Sequence, residues 1–171
     1  MLQIIIIILS VAADQLTKLF FVPMLSELPD KTMTIIPGVF NLRYVENTGA
    51  SFGMFQGARV FFIIVTILVL AAGAVLMIKT RHRQSLFLKI SLSLVIGGAI
   101  GNFIDRVAFG YVRDLFDFEQ VHFPWVFNVA DMCLVIGAIM LGIFVIFMYK
   151  PKDGKAVKDE EEPEPGEEQQ Q

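Results

Sequence analysis

Two carboxylates stand in apolar surroundings, where a charge needs a reason. Asp105 closes an apolar run in "GAIGNFIDRV" (98–107), and Asp131 lies in "FNVAD" (127–131) at the start of another. Each follows an asparagine by three residues, Asn102 and Asn128, a spacing that shares one face of a helix. Two carboxylates brought together cannot both ionise easily, so such a pair shares a proton. One member then takes a proton from water while the other protonates or polarises a carbonyl. That is aspartyl-protease chemistry, and it requires no metal, no other cofactor and no covalent intermediate. The asparagine amides suit orienting a carboxylate or holding substrate backbone; their plainer role is an interhelical hydrogen bond. Asp14 and Lys18 in "DQLTK" (14–18) form an i,i+4 pair, with self-neutralisation as the plainer role.

Other chemistries find little support. Cys133 stands alone in an apolar run, which rules out an intrachain disulfide and reads as a small buried hydrophobe. His82 and His122 fall on opposite sides of the membrane in the topology derived below, so they build no metal cluster. No serine or cysteine has an evident histidine partner.

The elements that must position these residues are membrane spans. Hydrophobic residues make up 55% of the chain, above the roughly 45–50% of a soluble domain. The excess lies in four runs, at about 2–22, 60–78, 86–106 and 125–149, each near the about 20 residues a bilayer requires. "VAA" (11–13) resembles a signal-peptide cleavage site, but no basic segment precedes the run and it resumes after Lys18, which favours a retained anchor. The segment 79–89 holds four basic residues and no acid, and Lys150, Lys152, Lys155 and Lys158 follow the last run. Both termini and the 79–89 loop are therefore expected in the cytoplasm, with the loops 23–58 and 107–124 outside. From 151 onward eight acids face three lysines, so the net charge of −3 belongs to the tail. That tail (151–171) reads as disordered, and nothing suggests nucleic-acid binding.

A helix rises about 1.5 Å per residue. Asp105 then lies about 24 Å from Lys89, and Asp131 about 28 Å from Lys150. Both reach a similar depth near the outer edge of the hydrocarbon. Within the outer loop (23–58), "TMTIIPGVFNLRYV" (32–45) alternates about a Pro-Gly turn and reads as two short strands. The expected fold class is an all-α membrane protein of four transmembrane helices with a small extracytoplasmic β-sheet on the outer face. Gly97, Gly98, Gly101 and Gly137 suit close helix packing. Depth and charge alone favour plainer pairings, Asp105 with Arg106 and Asp131 with Lys18.

Four motifs in order shift that balance. "DQLTK" (14–18), "NTGASFG" (47–53), "GNFIDR" (101–106) and "FNVAD" (127–131) make the first 150 residues resemble the bacterial lipoprotein signal peptidases (signal peptidase II). The resemblance implies an intramembrane aspartyl endopeptidase of the cytoplasmic (inner) membrane. It implies that the signal peptide is cut from a diacylglyceryl-modified prolipoprotein, just before the lipidated cysteine, at the outer face. It makes Asp105 and Asp131 the catalytic pair. It places Asp14, Lys18, Asn47, Asn102, Arg106 and Asn128 around the site, with Asn47 and the glycines of 47–53, Gly49 among them, close to substrate. "YVRDLF" (111–116) supplies Val112 and Asp114 of a "V-x-D-F" stretch, with Leu115 in place of phenylalanine, and Asp114 is held as an accessory residue. The expected partners are the prolipoprotein and membrane lipid, which takes up the diacylglyceryl chains. The pair lies in one chain, so a monomer suffices. A proton-coupled carrier would spread acids through the membrane depth, whereas these cluster near one face. A non-enzymatic scaffold would tolerate Asp→Asn at both positions.

Overall fold

The structure is a computed structural model that describes residues 1–49, 57–80, 85–118 and 123–148. The tail, Lys150, His82, His122, residues 50–53 of the glycine motif and Arg81 and Arg83 lie outside the described residues. Among the described residues, four helices are long and apolar enough to cross a membrane. They are α1 (Leu2–Ser26), α2 (Arg59–Thr80), α3 (Leu86–Ala108) and α4 (Val129–Ile143), the last running on as a π-helical turn to Met148. α1 passes unbroken through Val11–Ala13. Between the helices come β1 (Thr32–Ile36), β2 (Phe40–Asn47), β3 (Val112–Phe118) and β4 (Phe123–Phe127).

α3 is the central helix, packed on α1, α2 and α4. In lipid, helices gain little by hiding apolar surface, so close contact at small residues holds a bundle together. The glycines of α3 provide it. A methyl group at Gly98 would run into the Ala130 carbonyl, and one at Gly101 would come within 2.8 Å of Asp14 Oδ2. Glycine there lets α1 and α4 close on the layer that holds the carboxylates. α2 buries no residue.

The strands form one antiparallel sheet in the order β1-β2-β3-β4. Leu42, Tyr44 and Leu115 of the sheet pack with Leu25 at the end of α1, which seats the sheet on the bundle. The hairpin expected at 32–45 is present as β1 and β2. β3 and β4 were not foreseen, and β4 takes the first residues of the expected 125–149 span, so α4 starts at Val129. Gly110, at φ +90°, turns the chain sharply from α3 into β3 in a backbone region that L side chains rarely adopt. The register then sets Val45 opposite Asp114 and Asn47 opposite Val112.

Candidate active site

Asn128 is the N-cap of α4. Its Oδ1 accepts from the Asp131 backbone N–H at 2.9 Å, and the Asp131 carboxylate accepts from the Asn128 backbone N–H at 3.3 Å. This reciprocal capping box satisfies two donors that a helix start leaves open. It also fixes the Asp131 side chain against its own helix. The other end of the Asn128 amide is free to reach outward. Its Nδ2 donates to Asp114 Oδ1 at 2.6 Å and to Asn102 Oδ1 at 3.2 Å. Asn102 Nδ2 in turn donates to Asp131 Oδ1 at 2.7 Å. Asp114 accepts a second amide, Asn47 Nδ2, at 2.9 Å. One asparagine thus holds Asp114 and Asp131 together, and a further asparagine steadies each of them.

Asp114 and Asn128 are sealed from solvent, and Asp131 is half-buried, so the pair is open on the Asp131 side. Among the described residues no cation lies within ion-pair distance of either carboxylate. Burial pushes the Asp114 carboxyl up to about 7, and the charge of Asp131 adds to it, while the Asn47 and Asn128 amides pull it back.

Asp105 has a different setting. It is fully buried and accepts from Lys18 Nζ at 2.9 Å and from Arg113 Nη2 at 2.7 Å. It also accepts from the Arg113 backbone N–H at 2.9 Å and from Gln15 Nε2 at 3.2 Å. Lys18, fully buried itself, divides its charge between Asp105 and Asp14, which lies at 2.8 Å. Two cations and two carboxylates therefore balance one another inside the bundle, as buried charges require. Asp14 Oδ1 also accepts the Ala130 N–H at 3.0 Å and so ties α1 to the first turn of α4.

The structure brings Asp14, Lys18, Asn47, Asn102, Asp114, Asn128 and Asp131 into one polar layer, with Asp105 on its ion-paired side. No hydrogen bond joins Asp105 to Asp131. Lys18 binds Asp14 and Asp105 rather than Asp131. Arg106 points its guanidinium over the Phe62 ring at 4.8 Å and donates to the Gly49 carbonyl at 3.3 Å, steadying the start of the glycine motif. Gly49 donates its N–H to Asn47 Oδ1 at 3.0 Å. Sequence reasoning passed over Gln15 and Arg113, which link α1, α3 and β3. Their signal was adjacency, since Gln15 follows Asp14 and Arg113 precedes Asp114.

Comparison with known proteins agrees on one family. A family model described as signal peptidase (SPase) II matches residues 6–147. The lipoprotein signal peptidase of Clostridium acetobutylicum is 44% identical over 156 residues, covering 90% of this chain and 99% of that protein. The lipoprotein signal peptidase of Caldanaerobacter subterraneus subsp. tengcongensis is 44% identical over 146 residues, covering 85% of this chain and 97% of that protein. A solved bacterial membrane enzyme structure, obtained by the in meso method at 2.3 Å resolution, superposes with a TM-score of 0.74 at 32% identity, covering 90% of this chain and 94% of that one.

Proposed function

The chain belongs to the signal peptidase II family, and from that premise we propose an aspartyl endopeptidase in which Asp114 and Asp131 activate one water. Membership of the family makes it a membrane peptidase that removes signal peptides from lipoproteins. The finer reading is that the substrate is a diacylglyceryl-modified prolipoprotein cut just before its lipidated cysteine. The observation that carries the catalytic pair is the Asn128 bridge, which binds the Asp114 carboxylate through its side-chain amide and the Asp131 carboxylate through its backbone N–H, with no cation paired to either among the described residues.

The chemistry follows from the two environments. Asp114, buried and beside another carboxylate, is the member that holds the shared proton near neutral pH. Asp131, half-buried and fixed by its capping box, faces the water. It takes a proton as the water oxygen attacks the scissile carbonyl, and Asp114 gives its proton to the carbonyl oxygen. Collapse of the tetrahedral intermediate passes a proton to the leaving amine and returns the pair to its starting state. Asn102 and Asn128 keep the carboxylates in register. Asn47, Gly49 and Arg106 form the wall where substrate backbone enters.

This reading moves Asp105 from the catalytic pair to a positioning role. A carboxylate already bound by Lys18 and Arg113 is a poor base, because protonating it would break two buried ion pairs. The site is proposed to face outward, with both termini in the cytoplasm and the sheet on the outer side. The diacylglyceryl chains stay in lipid or in a groove between spans, where burial supplies roughly 0.8 kcal/mol per CH₂. Every residue of the site comes from one chain, so a monomer suffices.

Cleavage of a diacylglyceryl-modified prolipoprotein by purified protein tests the assignment. Asp114→Asn and Asp131→Asn are expected to abolish cleavage, and Asp105→Asn to leave a reduced but measurable rate. An active Asp114→Asn beside an inactive Asp105→Asn would return the pair to Asp105 and Asp131.

A further inference from the structure

Arg113 precedes Asp114 on β3 and is bound by residues of α1 and α3. Successive side chains of a strand point to opposite faces. On β3, Asp114 points to Asn47 and Asn128, while Arg113 points back to α1 and α3. Asp105 grips Arg113 twice, with Oδ2 on its backbone N–H and Oδ1 on its guanidinium. The same guanidinium nitrogen donates to Gln15 Oε1 at 3.0 Å, and the guanidinium lies over the Phe109 ring at 4.4 Å. Four contacts therefore converge on Arg113, three of them on a side chain that is 12% exposed. Its Nε is buried without a hydrogen-bond partner, so the group is held there by Asp105, Gln15 and Phe109 at some cost.

The charges about Arg113 explain why an arginine is useful there. Asp14 and Lys18 come from α1, Glu46 lies opposite on β2, Asp105 and Arg106 come from α3, Asp114 is adjacent and Asp131 comes from α4. Tyr44 and Tyr111 hydrogen-bond to one another, and Tyr44 also donates to Glu46. Without Arg113, Lys18 would face Asp14 and Asp105 alone. The buried cluster beside the acid pair would then carry a net negative charge.

We propose that Arg113 is a positioning residue for the acid pair: it anchors the strand that aims Asp114 and supplies the charge that balances Asp105. The inference rests on Asp114 and Asp131 being that pair. Removing Arg113 leaves the Lys18, Asp14 and Asp105 cluster net negative beside the acid pair, which favours the protonated pair, so the acid limb of the pH profile is expected to move up.

The test measures cleavage of the diacylglyceryl-modified prolipoprotein across pH by the parent, Arg113→Met, Arg113→Lys and Asp114→Asn. Arg113→Met is expected to lower kcat about tenfold with KM within about twofold, because aim is lost and not binding. Its acid limb in kcat/KM should rise by about 0.3–0.5 of a pH unit. Arg113→Lys keeps the charge and loses the fork, so its limb should stay at the parent position while kcat falls part of the way. Parent-like kcat and limb in Arg113→Met overturn the proposal. Equal losses in both variants with an unmoved limb also overturn it, since packing alone would act so. If Arg113→Met does not fold, Arg113→Lys decides: a parent-like kcat overturns the proposal, and a lower kcat at unchanged KM supports it. Full cleavage by Asp114→Asn would instead remove the acid-pair reading, whatever the Arg113 variants do.

Discussion

Asn128 donates to Asp114 across 2.6 Å from the N-cap of α4 while its own Oδ1 caps Asp131. A helix cap is thus also the bridge between a strand carboxylate and a helix carboxylate. Local helix chemistry and the candidate active site meet in a single side chain.

Replacing Asn128 separates those two jobs. Asn128→Ser keeps a capping oxygen and is too short to reach Asp114. It should keep most of the capping energy, lose about 1–3 kcal/mol because the buried Asp114 carboxylate gives up a donor, and lower kcat about a hundredfold by misaligning the carboxylates. Asn128→Ala should lose the cap as well, at about 1 kcal/mol beyond the loss in Asn128→Ser. Thermal unfolding in detergent and cleavage rates, measured on both variants, check the split.

The raised Asp114 carboxyl has a stability signature. Its proton affinity is higher folded, at about 7, than in an unfolded chain, at 3.8. Its contribution is therefore complete below about pH 4 and is lost as pH rises through about 7. Asp114→Asn cannot ionise, so the parent should lose stability relative to it between those limits, by an upper bound on the order of 4 kcal/mol. The unfolding midpoints of the two proteins across pH give the answer, and parallel curves would contradict it. Cleavage should also decline above pH about 7 as Asp114 loses the proton it donates.

Lys18 is fully buried between Asp14 and Asp105. Lys18→Met leaves Asp14 without a cation and Asp105 with Arg113 alone, and should destabilise by about 3–5 kcal/mol. Adding Asp105→Asn removes the excess negative charge and should restore part of the loss. A double-mutant cycle on unfolding free energy measures that coupling, and simple additivity would argue against the charge cluster.

Gly98 lets the start of α4 approach α3. Gly98→Ala meets the Ala130 carbonyl and lies within 3.0 Å of the Leu134 backbone nitrogen. Backbone must move, at about 1–3 kcal/mol, and Asp131 moves with it, so kcat should fall. Gly142→Ala, with nothing within 4 Å, is the control and should leave cleavage unchanged.

Much of the architecture follows from the sequence because it rests on one-dimensional signals. Long apolar runs specify four membrane-length helices, and "N-x-x-D" at 128–131 is a cap spacing that the structure uses as one. Alternation about Pro37-Gly38 marks the first hairpin. β4 escaped because "FPWVF" joins the apolar run of α4, and an apolar run by itself does not distinguish strand from helix.

Linear distance leads to the expectation that Asp105 and Asp131 share one depth, since rise per residue needs no knowledge of neighbours. Which carboxylates share Asn128 depends on rotation about each helix axis and on strands that return over the bundle. The turn at Gly110 and the β2–β3 register carry Asp114, nine residues beyond Asp105, back to Asn128. Lys18 and Arg113 meanwhile occupy Asp105. The sequence by itself pointed to four membrane-length helices and to the family. Tertiary structure decided the partners within the polar layer, because electrostatic pairing acts over a few ångströms in three dimensions and sequence spacing measures only one.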